Sequence, residues 1–178
     1  MLDNERIREA ERNVKGYLSE GLMKKTSETD KNILNILGRN SEESLETADF
    51  LFKNNMSLLW VVVCSYYSMY YVANEVLYRC GYKIGHKISH KITGDALIVF
   101  VRSKLKERLL EEYEEAKGEA FELANIKTNE IIESFDYERD KRSRFQYEMT
   151  DTIKKGKANT SLERAKRFVF EMKKLLVE

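Results

Sequence analysis

The sequence predicts an all-α protein folded as one helical bundle. The chain of 178 residues contains no proline and only eight glycines, and these two residue types are the usual punctuation of β-rich and loop-rich chains. Apolar residues recur at intervals of three and four along most of the chain, with charged residues between them, which is the pattern of amphipathic helices. No internal repeat, linker or low-complexity segment divides the chain. We therefore expect a single domain over residues 1–178.

The composition is that of a globular protein. Charged residues make up 34% and hydrophobic residues 42% of the chain, and 178 residues suffice to bury a core without disulfides. Cys64 and Cys80 stand sixteen positions apart, which is the spacing of neither a disulfide framework nor a CxxC site. The first residues, MLDNERIREAERN, lack the apolar stretch of a secretory signal. These features indicate a reduced, cytoplasmic compartment.

The first part of the chain is predicted to form three helices before the most apolar stretch. Helical spacing of apolar residues predicts the first helix at about 4–23. A short helix at about 31–37 is expected to end at Gly38, because glycine readily takes the left-handed conformation of a helix end. Asn40 is expected to cap the next helix, at about 41–54.

The stretch LLWVVVCSYYSMYY (58–71) is open to three interpretations. No charged residue occurs between Asn54 and Asn74, and two adjacent stripes make the helix apolar on nearly all sides, as in a buried or a membrane-spanning helix. A span needs ~17–25 apolar residues, but this run includes serines, asparagines and tyrosines. A platform for stacking nucleic-acid bases would need exposed rings. We predict a central bundle helix at 57–80. The residues expected to be largely buried are Trp60, Val63, Tyr67, Tyr70 and Leu77.

The second half of the chain is predicted to hold a loop and three helices. Gly81 is expected to end the central helix, and the loop 81–95 contains both histidines. Apolar spacing predicts a long helix at about 95–124 and another at about 128–149. The sequence TSLE (160–163) has the form of a capping box, with Thr160 as cap of the final helix.

The net charge of +1 is unevenly distributed. Residues 83–108 carry +5, residues 109–138 carry −8 and residues 139–174 carry +7. One interpretation is that these segments neutralise each other across the bundle. The other is that the two basic segments converge on a site for an anionic ligand.

Three segments of the chain resemble the HEPN family, a superfamily of helical bundles named for higher eukaryotes and prokaryotes nucleotide-binding. They are SYYSMYYVANEVLYRCGY (65–82), GHKISHKIT (85–93) and RSRFQY (142–147), and they occur in the same order as in the family. The first is similar to the family's helix of interleaved small and aromatic residues, and the similarity covers roughly 42–176. The resemblance implies an up-and-down bundle of about five to six helices, often dimeric.

The resemblance also implies an N-terminal addition. The helix predicted in EAERNVKGYLSEGLMKK (9–25) looks like the extension of archaeal members, which would place a helical extension at about 1–40.

The resemblance implies two classes of function. Some HEPN proteins are metal-independent ribonucleases, often toxins, which use an arginine followed after four to six residues by a histidine. Others are non-catalytic modules commonly encoded with a small nucleotidyltransferase, as in toxin–antitoxin-type systems. Here Arg142 matches the arginine, but Tyr147 stands where the histidine is expected, and a phenol with a pKa near ~10 is a poor base at neutral pH.

We therefore predict a non-catalytic module that binds a nucleotide, RNA or a protein partner, without a cofactor. A ribonuclease that uses Arg142 and Tyr147, with His90 and Arg144, is the alternative. No glycine-rich phosphate loop occurs in the sequence. The residues predicted to form one positive, anion-binding patch at one end of the bundle are His86, Lys87, His90, Lys91, Arg139, Arg142 and Arg144.

Each of these residues also has a simpler interpretation. The histidines can be polar residues of a loop, and the arginines can be surface charges that pair with the acidic segment. His86 and His90 are four residues apart, as in some metal sites, but zinc needs three or four ligands, and we predict no metal.

The expected partners are a second copy of the chain and a nucleotidyltransferase, with no membrane. The resemblance implies the homodimer. The last helix supports it, because Phe168, Val169, Phe170 and Met172 place apolar groups on more than one of its faces.

Overall fold

The protein is an all-α helical bundle with one small two-stranded sheet. The computed structural model describes residues 2–137 and 155–177, without the side chains of 125–137. The helices of the described residues are α1 (Asn4–Ser19), α2 (Lys31–Lys53), α3 (Leu58–Arg79), α4 (Ser89–Phe100), α5 (Glu107–Tyr137) and α6 (Lys155–Val177), with a short 3-10 helix at Arg102–Lys104. The strands are β1 (Met23–Lys25) and β2 (Tyr82–Ile84), which pair antiparallel. The predicted fold class is confirmed.

Helix α3 lies at the centre of the bundle and packs most extensively on α2 and α6. Val63 and Leu77 are buried as predicted, and Tyr70 is half-buried. The prediction is wrong for Trp60 and Tyr67, which are 55% and 37% exposed. The buried face of α3 does not include Trp60 and Tyr67, because α2 and α6 both pack on another side of this helix. The residues of the buried stripe are Val62, Ser65, Met69, Val72 and Val76. Within the part of the chain that the structure describes, no helix is long and apolar enough to cross a membrane.

Helix α2 is one continuous helix, so the predicted break at Gly38 and the cap at Asn40 are wrong. Asp30 caps the helix instead, and its carboxylate accepts a hydrogen bond from the Asn32 amide at 2.8 Å. Gly38 has a packing role, because a Cβ there would lie 3.1 Å from a carboxylate oxygen of Glu75 on α3. Gly38 therefore leaves room for a side chain of α3 and does not end α2.

The two strands were not predicted. The first helix ends at Ser19 and not near residue 23, because Gly21 has a positive φ of 71° and the chain then turns into β1. Gly81 ends α3 as predicted, with a φ of 86°. Three residues per strand give too short a pattern for alternation to be recognised.

The predicted helix at 95–124 is two helices. Helix α4 begins at Ser89, six residues earlier than predicted, and the 3-10 turn at Arg102–Lys104 separates it from α5. Helix α5 then continues to Tyr137, so the helix start predicted near residue 128 is wrong.

Helix α6 begins earlier than predicted. Its first residue is Lys155, so Thr160 lies inside the helix and is not its cap. The Thr160 hydroxyl donates a hydrogen bond to the Gly156 carbonyl at 2.9 Å, one turn back. A threonine can make this bond within a helix, and the capping-box sequence is therefore not diagnostic here.

A buried carboxylate joins α1 to α4. Asp95 is fully buried and accepts hydrogen bonds from Arg6 Nη2 at 2.6 Å, Asn13 Nδ2 at 3.0 Å and Tyr17 Oη at 2.8 Å. Burial is also the main reason that the pKa of Tyr17 is raised, and the hydrogen bond to Asp95 raises it further. These contacts satisfy the carboxylate and fix the position of α4.

We expect Asp95→Ala to lower the free energy of unfolding by about 3–5 kcal/mol, because removal of one partner leaves Arg6 and Tyr17 without their acceptor. Urea unfolding measures this. Asp49→Ala is the matched control: Asp49 pairs with Lys53 and Lys166 at the surface, where loss of a pair costs less than about 1 kcal/mol. Equal effects of the two substitutions would contradict the assigned role of Asp95.

Candidate functional site

His90 lies at the start of α4, half-buried among aromatic rings from α3 and α5. Its Nδ1 is 2.7 Å from the Tyr66 hydroxyl. The Tyr70 ring lies 4.2 Å from the imidazole centroid and is tilted by 33°. The Phe121 ring meets it edge-on at 5.0 Å. The histidine is therefore held in one orientation by a hydrogen bond and two ring contacts.

The electrostatic environment of His90 favours the neutral imidazole. Burial lowers the pKa of His90, and the nearby positive charge of Lys117 lowers it further. Burial raises the pKa of Tyr66, so the phenol keeps its proton. When Tyr66 donates to Nδ1, the imidazole carries its own proton on Nε2. Nε2 can then donate a hydrogen bond to a ligand.

The aromatic cluster is open on one side. Tyr66 is part of the core, and its ring lies 5.9 Å from that of Tyr113. Tyr67 is exposed, Phe121 is 41% exposed, and Tyr71 is half-buried. Tyr66 is thus packed in the core, whereas the predicted burial of Tyr67 is wrong. Stacking of a base requires an exposed ring face, and Tyr67 and Phe121 meet this requirement.

A positively charged surface precedes this cluster in the chain. Its strand pair lies at the opposite end of α4 from His90, because the Tyr82 ring of β2 stacks on that of Phe100 at 3.9 Å. Lys24 on β1 and Lys83 on β2 are direct partners in the antiparallel pair, and both are exposed, as is Lys25. Like charges directly opposite each other destabilise a strand pair. None of these three lysines has a carboxylate partner among the described residues. The pairing of distant strands brings Lys24 and Lys25 here, and sequence reasoning missed them for that reason.

The loop between β2 and α4 adds the cations that the sequence predicted. His86, Lys87 and Lys91 are exposed, and His90 follows the loop within the first turn of α4. No aspartate or glutamate occurs from residue 76 to residue 94. We refer to Lys24, Lys25, Lys83, His86, Lys87 and Lys91 as the basic surface.

The described part of the other basic segment behaves differently. Arg167 Nη2 lies 2.8 Å from Glu112 Oε1, and Arg164 Nη2 lies 2.9 Å from Glu115 Oε2. These two arginines of α6 are therefore neutralised by glutamates of α5, as the first of the two interpretations of the charge pattern predicts. The basic surface is not neutralised in this way.

Four predicted site residues cannot be placed. Arg139, Arg142, Arg144 and Tyr147 lie outside the described residues. Their convergence with His90 into one positive patch therefore stays a prediction.

The two histidines have different surroundings. His86 is exposed in the loop, whereas His90 is engaged by Tyr66. Among residues 2–124 and 155–177, whose side chains are described, no three His, Cys, Asp or Glu side chains are placed to hold a metal ion.

Comparison with known proteins gives no match to a family model, to a curated protein or to a solved structure. The resemblance to the HEPN family therefore stays a prediction.

We expect the stability of the protein to decrease as the pH falls below about 6.5, the ordinary pKa of histidine, and His90→Gln to remove part of this decrease. The pKa of His90 is lowered in the folded chain, so below that pH the unfolded chain binds the proton more readily and unfolding is favoured. Urea unfolding at about pH 7.5 and about pH 5.5 measures the difference.

The matched control for this prediction is His86→Gln, since His86 is the exposed histidine of the same loop. It should keep the pH dependence of the wild type. A His90→Gln variant with an unchanged pH dependence would contradict the assignment.

Proposed function

We propose that the chain is a non-catalytic module that binds a nucleotide or RNA at the start of α4, where His90 lies among aromatic rings of α3 and α5. One observation carries the proposal: the aromatic cluster around His90 is exposed on one side and is flanked in the chain by Lys87 and Lys91, which have no described carboxylate partner. Phosphate would bind the basic surface, and a base would stack beside His90.

The basic surface supplies the attraction for phosphate. Lys24 and Lys83 are held opposite each other by backbone pairing, so their separation is set by the sheet. Lys87 and Lys91 extend the charge towards His90. Neutralisation of phosphates by such lysines releases counterions, which makes binding sensitive to salt.

The aromatic cluster supplies the contact for a base. Tyr67 and Phe121 are exposed and lie close to His90, with ring centroids 5.7 Å and 5.0 Å from the imidazole. Stacking on such rings contributes ~1–3 kcal/mol per base and tolerates any base. A hydrogen bond from His90 Nε2 would add a directional contact.

The double substitution Lys83→Ala, Lys87→Ala should weaken the binding of short single-stranded RNA and reduce its salt dependence. The slope of log K against log salt should fall by about 0.7 for each phosphate that the variant no longer neutralises. Fluorescence anisotropy of a labelled oligonucleotide between about 50 mM and about 200 mM salt measures both quantities.

The control for the lysine substitutions is Lys104→Ala, an exposed lysine of the 3-10 turn that is not part of the basic surface. It should bind RNA as the wild type does. Equal losses of affinity in the control and in the double variant would show general charge attraction and would contradict a site at the basic surface.

One feature also favours a second candidate, cleavage of RNA without a metal. His90 is neutral, and Tyr66 fixes its orientation. With its proton on Nδ1 and the Tyr66 oxygen as acceptor, Nε2 could take the proton of a ribose 2′-hydroxyl. The 2′-oxygen would then attack phosphorus to give a 2′,3′-cyclic phosphate. The departing 5′-oxygen takes a proton from water, and the imidazolium returns its proton to the hydroxide that is left. Arg142 would stabilise the phosphorane-like charge, as the resemblance implies.

We expect labelled RNA to stay intact when incubated with the purified protein, because the usual arginine and histidine pair is incomplete. Gel analysis of the products checks this. Cleavage that disappears in both His90→Ala and Arg142→Ala would establish the ribonuclease and reject the non-catalytic module.

The homodimer and the nucleotidyltransferase partner remain proposals. Phe168, Val169 and Met172 are buried in the core of the chain itself, so they are not available to a second copy. Phe170 is 63% exposed, with Lys174 Nζ 4.4 Å from its ring centroid. A dimer formed through α6 would therefore centre on Phe170.

A further inference from the structure

Helix α3 carries an aromatic strip on the side that the bundle leaves open. Trp60, Cys64, Tyr67 and Tyr71 recur at intervals of four, three and four residues, so they lie along one face of the helix. Trp60 and Tyr67 are exposed, whereas Cys64 and Tyr71 are half-buried. This is the second of the two apolar stripes of α3. Its rings at Trp60 and Tyr67 are exposed, whereas Cys64 packs against the apolar cluster that α2 and α6 form with α3.

The length of the aromatic strip matches several nucleotides. Trp60 and Tyr67 are seven residues apart, which corresponds to about 10.5 Å along a helix axis. Stacked nucleotides advance by about 3.4 Å each, so the two rings could hold bases at the two ends of a short single strand. Tyr67 also contacts the His90 ring, at 5.7 Å. The strip therefore continues the site at His90.

Positive charge lies near both ends of the strip. At the Tyr67 end, His90 leads to the basic surface. At the Trp60 end, Lys155 Nζ lies 2.6 Å from Asn55 Oδ1, in the turn that precedes α3. Lys157 is exposed nearby on the first turn of α6, whose Ala158 belongs to the same apolar cluster as Val61 of α3. Neither lysine pairs with a described carboxylate.

We propose that this strip binds single-stranded RNA of three or more nucleotides, with one base at His90 and the following bases along α3 towards Trp60. The proposal rests on the proposed function, because the His90 end must accept the first base. Exposed rings with cations at both ends are the combination that single-stranded nucleic acids require. The hydroxyls of Tyr67 and Tyr71 could bond the ribose 2′-hydroxyl, which DNA lacks.

A protein partner fits this face less well than RNA. The core of a protein interface is depleted of lysine, whereas this strip has lysines near each end that pair with no described carboxylate. Duplex RNA does not fit either, since its paired bases cannot reach the rings. We therefore assign single-stranded RNA as the occupant.

The fluorescence of Trp60 provides a direct test, because it is the only tryptophan of the chain. Titration with a mononucleotide should leave this fluorescence unchanged, since the mononucleotide occupies only the His90 end. Titration with a single-stranded RNA of about eight nucleotides should quench it, because a base then stacks on the indole. The same sequence as DNA or as duplex RNA should bind more weakly.

Substitution of Trp60 tests the energetic contribution of the strip. Trp60→Ala should weaken binding of the long RNA by about tenfold or more and leave mononucleotide binding unchanged. Trp60→Phe should keep most of the affinity, which separates stacking from a folding defect. The matched control is Phe170→Ala, a similarly exposed aromatic residue on α6, and it should bind both ligands as the wild type does.

Other results of these experiments would reject the RNA site on the strip, and one of them would also reject the proposed function. If the mononucleotide binds and the long RNA binds equally to wild type and Trp60→Ala, the strip is not an RNA site, while the proposed function stands. If neither ligand binds the wild type, the proposed function fails and the strip with it. Equal binding of DNA or duplex RNA would reject single-stranded RNA as the occupant. If light scattering shows a dimer that Trp60→Ala converts to a monomer, and RNA does not quench Trp60, the strip is a self-association surface.

Discussion

The fold and the candidate site both depend on which face of α3 is buried. The helix is apolar on nearly all sides, so hydrophobicity alone does not determine its orientation. Small residues on one side determine the orientation. The Ser41 hydroxyl of α2 donates a hydrogen bond to the Ser68 carbonyl of α3 at 2.8 Å, and Gly38 of α2 leaves room for the Glu75 carboxylate of α3. Close approach of α2 to this side buries it and leaves the aromatic strip open. One packing choice thus creates both the core and the surface that we assign to RNA.

Helix α4 holds His90 in place because the middle of the helix is fixed by its neighbours. Asp95, five residues further on, is bound by three side chains of α1. At Gly94, α5 comes so close that a Cβ would collide with the Glu114 carboxylate, which in turn lies 2.6 Å from Lys117 Nζ. The position of Lys117, and hence its effect on the pKa of His90, follows from this contact. The orientation of the imidazole is therefore a property of the bundle and not of the loop before it.

Helical periodicity predicted the fold class and the burial of Val63 and Leu77, because burial follows the spacing of apolar side chains. It could not choose between the two stripes of α3, since that choice depends on where α2 packs. The packing of α2 on α3 also explains Gly38, which the sequence pattern predicted to be a helix end. Periodicity also could not predict the pairing of Lys24 with Lys83, because a contact between distant three-residue strands has no local sequence pattern. Sequence reasoning found the loop histidines and lysines because they are adjacent in the chain.

The distribution of charge distinguishes structural from functional cations. Glu112 Oε1 lies 3.0 Å from Arg108 Nε and 2.8 Å from Arg167 Nη2, so these charges form ion pairs within the bundle. The lysines opposite each other on the small sheet gain no such contact. An isolated two-stranded sheet is only marginally stable, and repulsion between Lys24 and Lys83 weakens it further. An arrangement that costs stability in the free protein is favoured when an anion binds there and removes the repulsion. Binding of phosphate would therefore stabilise the sheet as well as the complex.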